Sequence, residues 1–211
     1  MQVHRQHGGD TGPFLLQWLR DEVGARVYPV HRLDKPTAGL MVFTDSRDLA
    51  SAMGEAFRER RVKKRYQAIV RGHVLQDGVI DYPLGPVRDR FAPSTDERRE
   101  AQTEVRVVAR SEVSTPVGRY ESARYSWLAL RPRTGRRHQI RRHLKHVFHP
   151  IIGDRKYGDR DHNRFANSLG FDQLALCSTS LSFPELDLEY AVDPVPEWQA
   201  LAAALRLTTA D

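Results

Sequence analysis

Cysteine is almost missing from this chain: Cys177 is the single one in 211 residues. That excludes an intrachain disulfide and a cysteine-built zinc cluster. Long apolar runs are missing too, since runs such as 40–43 and 201–205 are far too short to span a bilayer. The first twelve residues are polar and rich in Gly and His, which is not the pattern of a secretory signal. There is no internal repeat, no low-complexity linker, no Gly-x-Ser-x-Gly and no phosphate loop ending Gly-Lys-Ser/Thr. Nothing therefore points to a hydrolase or a nucleotide-dependent enzyme. The chain reads as a soluble protein of a reducing compartment, the cytoplasm.

What is present is ordinary globular composition, 40% hydrophobic and 28% charged. The length suits a single domain over 1–211 with a sizeable core. The net charge is +6, and it is concentrated. Residues 131–145 carry Arg131, Arg133, Arg136, Arg137, Arg141, Arg142 and Lys145 with no acid, and residues 58–65 carry six bases against Glu59. Clusters of this kind attract a polyanion by releasing its counterions. Each alone is equally compatible with a solvated helix face.

Apolar spacing predicts a short helix over 14–23 stopped by Gly24, a short strand at 27–30, and a buried strand at 40–44. Asp45 or Ser46 caps a helix to about residue 60, with Leu49, Met53 and Phe57 on its inner face. Strands follow at 66–71, 104–109, 125–130 and 174–183, with a charged, loop-rich insertion at 83–103. A basic helix is expected over 136–147, with Ile140, Leu144 and Val147 inward, and a last helix begins at Pro196. Strands outnumber helices and are mostly not separated by crossover helices. The expected fold is α+β, a mixed, mostly antiparallel sheet flanked by helices and loops.

Chemistry concentrates in three places. Between two apolar strands lies His31-Arg32-Leu33-Asp34-Lys35-Pro36-Thr37-Ala38-Gly39, a loop in which Asp34 either caps a turn or serves as nucleophile or base. In 134–143, four-residue spacing puts Arg137 with Arg141 and His138 with Arg142 on helix faces, suited to phosphate contacts or to holding a carboxylate ionised. In Lys63-Lys64-Arg65-Tyr66-Gln67-Ala68, an aromatic follows bases on a strand, where Tyr66 either stacks on an extruded base or joins the core.

Four patterns in one order resemble the RluA-type pseudouridine synthases. They are His31-Arg32-Leu33-Asp34-x-x-Thr37-x-Gly39-Leu40, Arg65-Tyr66-x-Ala68-x-Val70-x-Gly72, Thr134-Gly135-Arg136-x-His138-Gln139-Ile140-Arg141, and His149-Pro150-Ile151-x-Gly153-Asp154-x-x-Tyr157-Gly158. The resemblance implies the pseudouridine synthase catalytic fold and an isomerase that acts on RNA without metal or organic cofactor. It implies that Asp34 attacks or deprotonates a flipped uridine, that the glycosidic bond breaks, and that the rotated uracil re-attaches through carbon. By the same resemblance Tyr66 stacks on the uracil, Arg141 pairs with Asp34, and Arg32 fills the vacated stack. Lys64, Arg65, Arg136, Arg137, His138 and Arg142 are then the RNA contacts. Flipping costs a few kcal/mol, less in a loop or bulge, so a folded RNA arm is expected. Asp81-Tyr82-Pro83-Leu84, Gly118-Arg119-Tyr120 and Asn163-Arg164 resemble the branch that modifies uridine 65 of tRNA. A ribosomal RNA target and a non-catalytic RNA-binding module are the alternatives.

Two departures stand out. Ala38 replaces a common serine, with little effect expected. Val3-His4-Arg5 resembles a segment that relatives reach only after a strand pair and an Asn-Lys-Pro-x-Gly stretch, so N-terminal strands are expected to be missing and a sheet edge uncovered. The small basic RNA-binding domain that some relatives carry upstream is likewise not expected. His143, His146 and His149 recur every three residues, but no carboxylate matches their spacing, and no metal site is expected. Cys177 reads as core, and Asp154 and Tyr157 as pocket support or turn closure. Residues 159–167 read as a solvated loop, and the chain as a monomer.

Overall fold

The structure is a computed structural model and describes residues 14–87 and 97–208. Helix α1 (Leu15–Val23) ends at Gly24, whose φ of 67° gives the left-handed stop that glycine takes without strain. Strands β1 (Tyr28–Pro29) and β3 (Phe43–Thr44) form a two-stranded antiparallel ladder. Between them β2 (Ala38–Gly39) leaves to join another sheet. The apolar run 40–44 is thus strand only at its last two residues, because Leu40 N–H already bonds Ser178 O at 2.8 Å. Helix α2 (Arg47–Arg58) is capped by Ser46, whose hydroxyl accepts from Leu49 N–H. Met53 and Ala56 on its inner face meet Val42, Val62, Leu181 and Phe183 in a small satellite core.

The main sheet runs β2-β8-β4-β7-β6-β5. Its strands are β4 (Lys63–Arg71), β5 (Gly78–Asp81), β6 (Gln102–Val113), β7 (Ala123–Pro132) and β8 (Leu176–Phe183). Strand β9 (Leu188–Ala191) takes the part of the β8 edge that β2 leaves free. Every pairing is antiparallel except β2 with β8. Three consecutive buried residues in β4, Ala68, Ile69 and Val70, show that both faces of the central strand are covered. The cover comes from α3 (Gln139–His146), α4 (Arg160–Ser168) and α5 (Pro196–Ala204), through Ile140, Leu144, Ala166, Trp198 and Leu201.

Several elements depart from the sequence reading. Strand β5 was unforeseen: it is an edge strand, mostly exposed, and only β6 pairs with it. Strand β6 runs well beyond 104–109. Residues 159–167 are helix rather than loop, because Asp159 caps α4 by accepting from the N–H groups of Asp161 and His162. Helix α3 starts at Gln139, leaving Arg136, Arg137 and His138 in the turn before it. The insertion 83–103 closes on an antiparallel bridge between Leu84 and Arg99. Residues 1–13, on which the expected uncovered edge turned, lie outside the described residues.

An apolar groove of about 380 Å³ lies between α1, β3 and α2, lined by Leu19, Val23, Val42, Phe43 and Met53 among others. It shares no residue with the clustered motifs, and among the described residues Asp45 is the only charge on its wall.

Candidate active site

Asp34 is presented by a loop pinned at both ends. At one end His31 Nε2 accepts from Val42 N–H at 3.1 Å, and its ring stacks on Phe57 with centroids 5.0 Å apart. Burial lowers the His31 pKa to about 4, so the ring is a neutral fastening and not a base. At the other end Gly39, with φ of 100°, lies flat against β8. A Cβ there would collide with the Ser178 backbone and come within 2.8 Å of Cys177 Sγ. Between them Thr37 N–H bonds Asp34 O at 2.8 Å and closes the turn.

Tyr66 enters from β4, just after a register break between Arg65 and Tyr66 and opposite Ser178. Burial pushes its hydroxyl up to about 12, partly offset by the Ser178 hydroxyl, and the Asp34 charge adds in the upward direction. Tyr66 is therefore a protonated phenol in the field of Asp34.

Arg141 reaches the site from α3 with 6% of its side chain exposed, against 28% for Asp34. The sequence reading paired it with Asp34, but its fork is committed elsewhere. Nε donates to Asp154 Oδ2 at 2.7 Å and Nη2 to Asp154 Oδ1 at 2.8 Å. Only Nη1 is left for Asp34, 3.6 Å from Oδ2. Asp154 Oδ1 also accepts from Lys156 and Tyr157 N–H, both at 2.9 Å. Burial alone would raise the Asp154 pKa, but the Arg141 bonds and these N–H groups outweigh it and hold it below its ordinary value. Asp154 thus both closes the turn and supports the site. The division of labour has a chemical consequence: a bidentate pair would have occupied the lone pairs of Asp34, whereas a single donor at 3.6 Å holds a positive charge beside them and leaves them usable.

His138 completes the ring of groups. Its φ is 56°, a left-handed conformation rarely taken by a non-glycine residue. Nδ1 lies 2.9 Å from the Tyr157 hydroxyl, and Nε2 lies 3.9 Å from Asp34 Oδ1. The turn that carries it is fixed by Gln139, whose Oε1 accepts from Thr134 hydroxyl and Arg136 N–H while Nε2 donates to Gln102 O and Thr103 Oγ1. All four bonds of that buried amide are made.

The expected RNA contacts divide. Arg32 is exposed beside Asp34, and Lys64 is half-buried, 3.9 Å from where a Cβ on Gly135 would lie. Arg65 and Arg137 are exposed. Arg136 Nε donates to Glu100 O and Arg142 Nη1 to Gly85 O, so both brace the 83–101 loop. Because Arg137 and His138 precede α3, the expected pairing of 137 with 141 and of 138 with 142 on helix faces is not formed. His143 spends Nδ1 on Thr103 Oγ1 and Nε2 on Tyr82 O, so the three-residue histidine spacing serves packing. Among the described residues no cluster of His, Cys, Asp or Glu is arranged to hold a metal. His31 and Gln139 were missed as site-builders, whereas Asp154, read as pocket support or turn closure, does both. The sequence carried a signal for its pairing with Arg141 as well: a buried arginine requires an anion, and Asp154 is the acid that follows α3 most closely in the chain.

The sequence model of the RNA pseudouridylate synthase family matches residues 1–146. The chain belongs to that family. Among curated relatives, a tRNA pseudouridine synthase C from Haemophilus influenzae is 46% identical over 175 residues, covering 81% of this chain and 73% of the relative. The protein of the same name from Haemophilus ducreyi is 43% identical over 174 residues, covering 81% and 72%. Among solved structures, human RNA pseudouridylate synthase domain containing 4 superposes with a TM-score of 0.70 at 26% identity, covering 93% of this chain and 82% of the other. Human RNA pseudouridylate synthase domain containing 1 gives 0.72 at 22% identity, over 94% and 87% of the two chains, which shows the shared fold. The resemblance read from four short motifs is thereby established over most of the chain, and so is the α+β sheet they implied. This pseudouridine synthase acts on RNA, and no helix among the described residues is long and apolar enough to cross a membrane.

Proposed function

We propose that this synthase isomerises a uridine in the folded arm of a tRNA, with Asp34, Tyr66 and Arg141 as the catalytic set. The carrying observation is the Asp34 carboxylate, 28% exposed and faced at 3.6 Å by an Arg141 whose other two donors are held by Asp154. Asp34 acts on the flipped nucleoside, the bond from C1′ to N1 breaks, the uracil turns, and C1′ bonds to C5. The C5 proton is lost and N1 gains one, so the reaction balances without metal, cofactor or redox partner. Tyr66 stacks on the uracil as a neutral phenol and assists the late proton transfer. Arg32 enters the stack that the uridine leaves, and Lys64, Arg65, Arg136, Arg137 and Arg142 line the phosphate path. The relatives named tRNA pseudouridine synthase C support a tRNA substrate, and the local patterns at 81–84, 118–120 and 163–164 support uridine 65 within it. The protein is read as a cytoplasmic monomer with one catalytic domain.

Tritium release from 5-tritiated uridine tests this, with bulk unmodified tRNA, ribosomal RNA alongside, and Asp34→Asn as control. Release from tRNA that vanishes in the variant is expected, with RNA binding retained. Release from ribosomal RNA alone would overturn the tRNA substrate, and turnover by Asp34→Asn would overturn the catalytic assignment.

A further inference from the structure

Building on the uridine-isomerising reading, we propose that Tyr157 and His138 form a tautomer lock that positions Asp34. In it the Tyr157 hydroxyl donates to His138 Nδ1, which leaves the ring proton on Nε2, facing the carboxylate. The 2.9 Å contact between the hydroxyl and Nδ1 admits two arrangements. If Nδ1 carried the proton, Nε2 would turn a bare lone pair toward Asp34 Oδ1, 3.9 Å away. The opposite arrangement turns an N–H dipole toward the carboxylate and is the electrostatically favoured one.

Three further features bear on the pair. His138 accepts a left-handed φ of 56° immediately before α3, a conformation held only where the surroundings over-determine it. The bond from its ring to Tyr157 supplies part of that constraint. Tyr157 is fixed in turn: its N–H bonds Asp154 Oδ1 at 2.9 Å, its ring lies under the Arg141 guanidinium with the cation 5.0 Å from the centroid, and it meets the His138 ring edge-on at 71°. Asp154 therefore anchors two arms, Arg141 and Tyr157. One arm ends in the Arg141 cation 3.6 Å from Asp34 Oδ2, and the other, through His138, in a ring nitrogen 3.9 Å from Oδ1.

The lock also sets the charge at the site. Around His138 stand Arg141, Arg137 and Lys156, which with burial disfavour its protonation, and Asp34, which favours it. Burial and the three cations prevail, and the imidazole is neutral near pH 7. A neutral donor orients the carboxylate, whereas an imidazolium would pair with it and tie up the lone pair the reaction needs. His138 is on this view a positioning residue and not a phosphate contact.

The test uses Tyr157→Phe, which keeps the ring under Arg141 and the backbone bond to Asp154, together with His138→Gln and His138→Ala. In ¹⁵N-labelled wild type, long-range ¹H–¹⁵N correlation should show the Nε2–H tautomer of His138, and Tyr157→Phe should lose that preference. Tritium release by Tyr157→Phe should show kcat about 10- to 100-fold lower, the range for roughly 1 Å of misplacement, with KM for tRNA unchanged. His138→Gln, which retains an amide donor, should turn over faster than His138→Ala, and should lack the fall in kcat on the acid side that His138 protonation gives the wild type. An Nδ1–H tautomer, an unchanged kcat in Tyr157→Phe, or a change confined to KM would each overturn the lock. Failure of the wild type on every RNA would instead overturn the uridine-isomerising reading, and the spectra would still decide the tautomer.

Discussion

Replacing Asp154 by Asn would leave the Arg141 guanidinium buried opposite an uncharged amide, with an NH2 group facing Nε where Oδ2 had accepted its bond. Breaking one partner of a buried pair costs about 3–5 kcal/mol, which for a chain of this size lowers Tm by roughly 10 °C. Arg141 would then be free to swing onto Asp34 and form the tight pair the native arrangement avoids. Calorimetry and tritium release should therefore show a large loss of Tm and of turnover together, and an unchanged Tm would refute the account of Asp154 as the anchor. His31 yields a separate expectation. Its ordinary pKa of 6.5 falls to about 4 in the folded chain, so between those values the unfolded chain binds the extra proton. Stability is complete above pH 6.5 and declines as pH drops toward 4, by up to about 1.4 kcal/mol per unit. His138, His143 and His162 are shifted in the same direction and add to the decline. The part due to His31 is the difference between wild type and His31→Gln in urea titrations at pH 7 and pH 5, where the variant should lose less. Equal losses would refute it.

At the scale of elements, what could be read from sequence depended on whether a segment carries its own cause. Helix α2 does: a Ser46 cap, Leu49 and Met53 at helical spacing, and a basic last turn. Its limits were legible to within about two residues. Strand β5 and helix α4 do not. The first is ordered by its ladder with β6, and the second by Asp159 and two buried side chains, so neither shows an apolar period in its own residues. The start of α3 was misplaced for a related reason. The left-handed residue of this turn is His138 and not Gly135, because the contacts of Gln139 and Tyr157 and not residue preference decide. The three motifs still delivered Asp34, Tyr66 and Arg141 to one place. The arginines of 134–143 separate by element: Arg142 braces the loop through Gly85 O, whereas Arg137 is exposed on the turn. Arg137→Ala should reduce the slope of log affinity against log salt by about 1. Arg142→Ala should lower Tm through the lost bond to Gly85 O. Filter binding over a salt series reads the first and thermal melts the second, and an unchanged slope in Arg137→Ala would make that turn mere surface.

At the scale of the whole molecule, the net charge is +6, and two of its basic clusters meet beside one site. The turn before α3 and the start of β4 bring bases from two distant stretches of sequence to the same side of Asp34, as the closeness of Lys64 to Gly135 shows. The sheet does this by putting β8 at the junction of β2, β4 and β9. The lone parallel pairing in the sheet, Ala38 with Cys177 and Gly39 with Ser178, joins residues about 140 positions apart. On a translating ribosome, at about 5–20 residues per second, the Asp34 loop therefore emerges roughly 7 to 30 seconds before the strand it must lie against. By the last part of that interval both basic stretches, 58–65 and 131–145, have been made, yet the carboxylate is not seated. The enzyme comes into being only as the last part of its chain is made, and a message cut short before β8 yields a chain whose Asp34 loop has no strand to lie against.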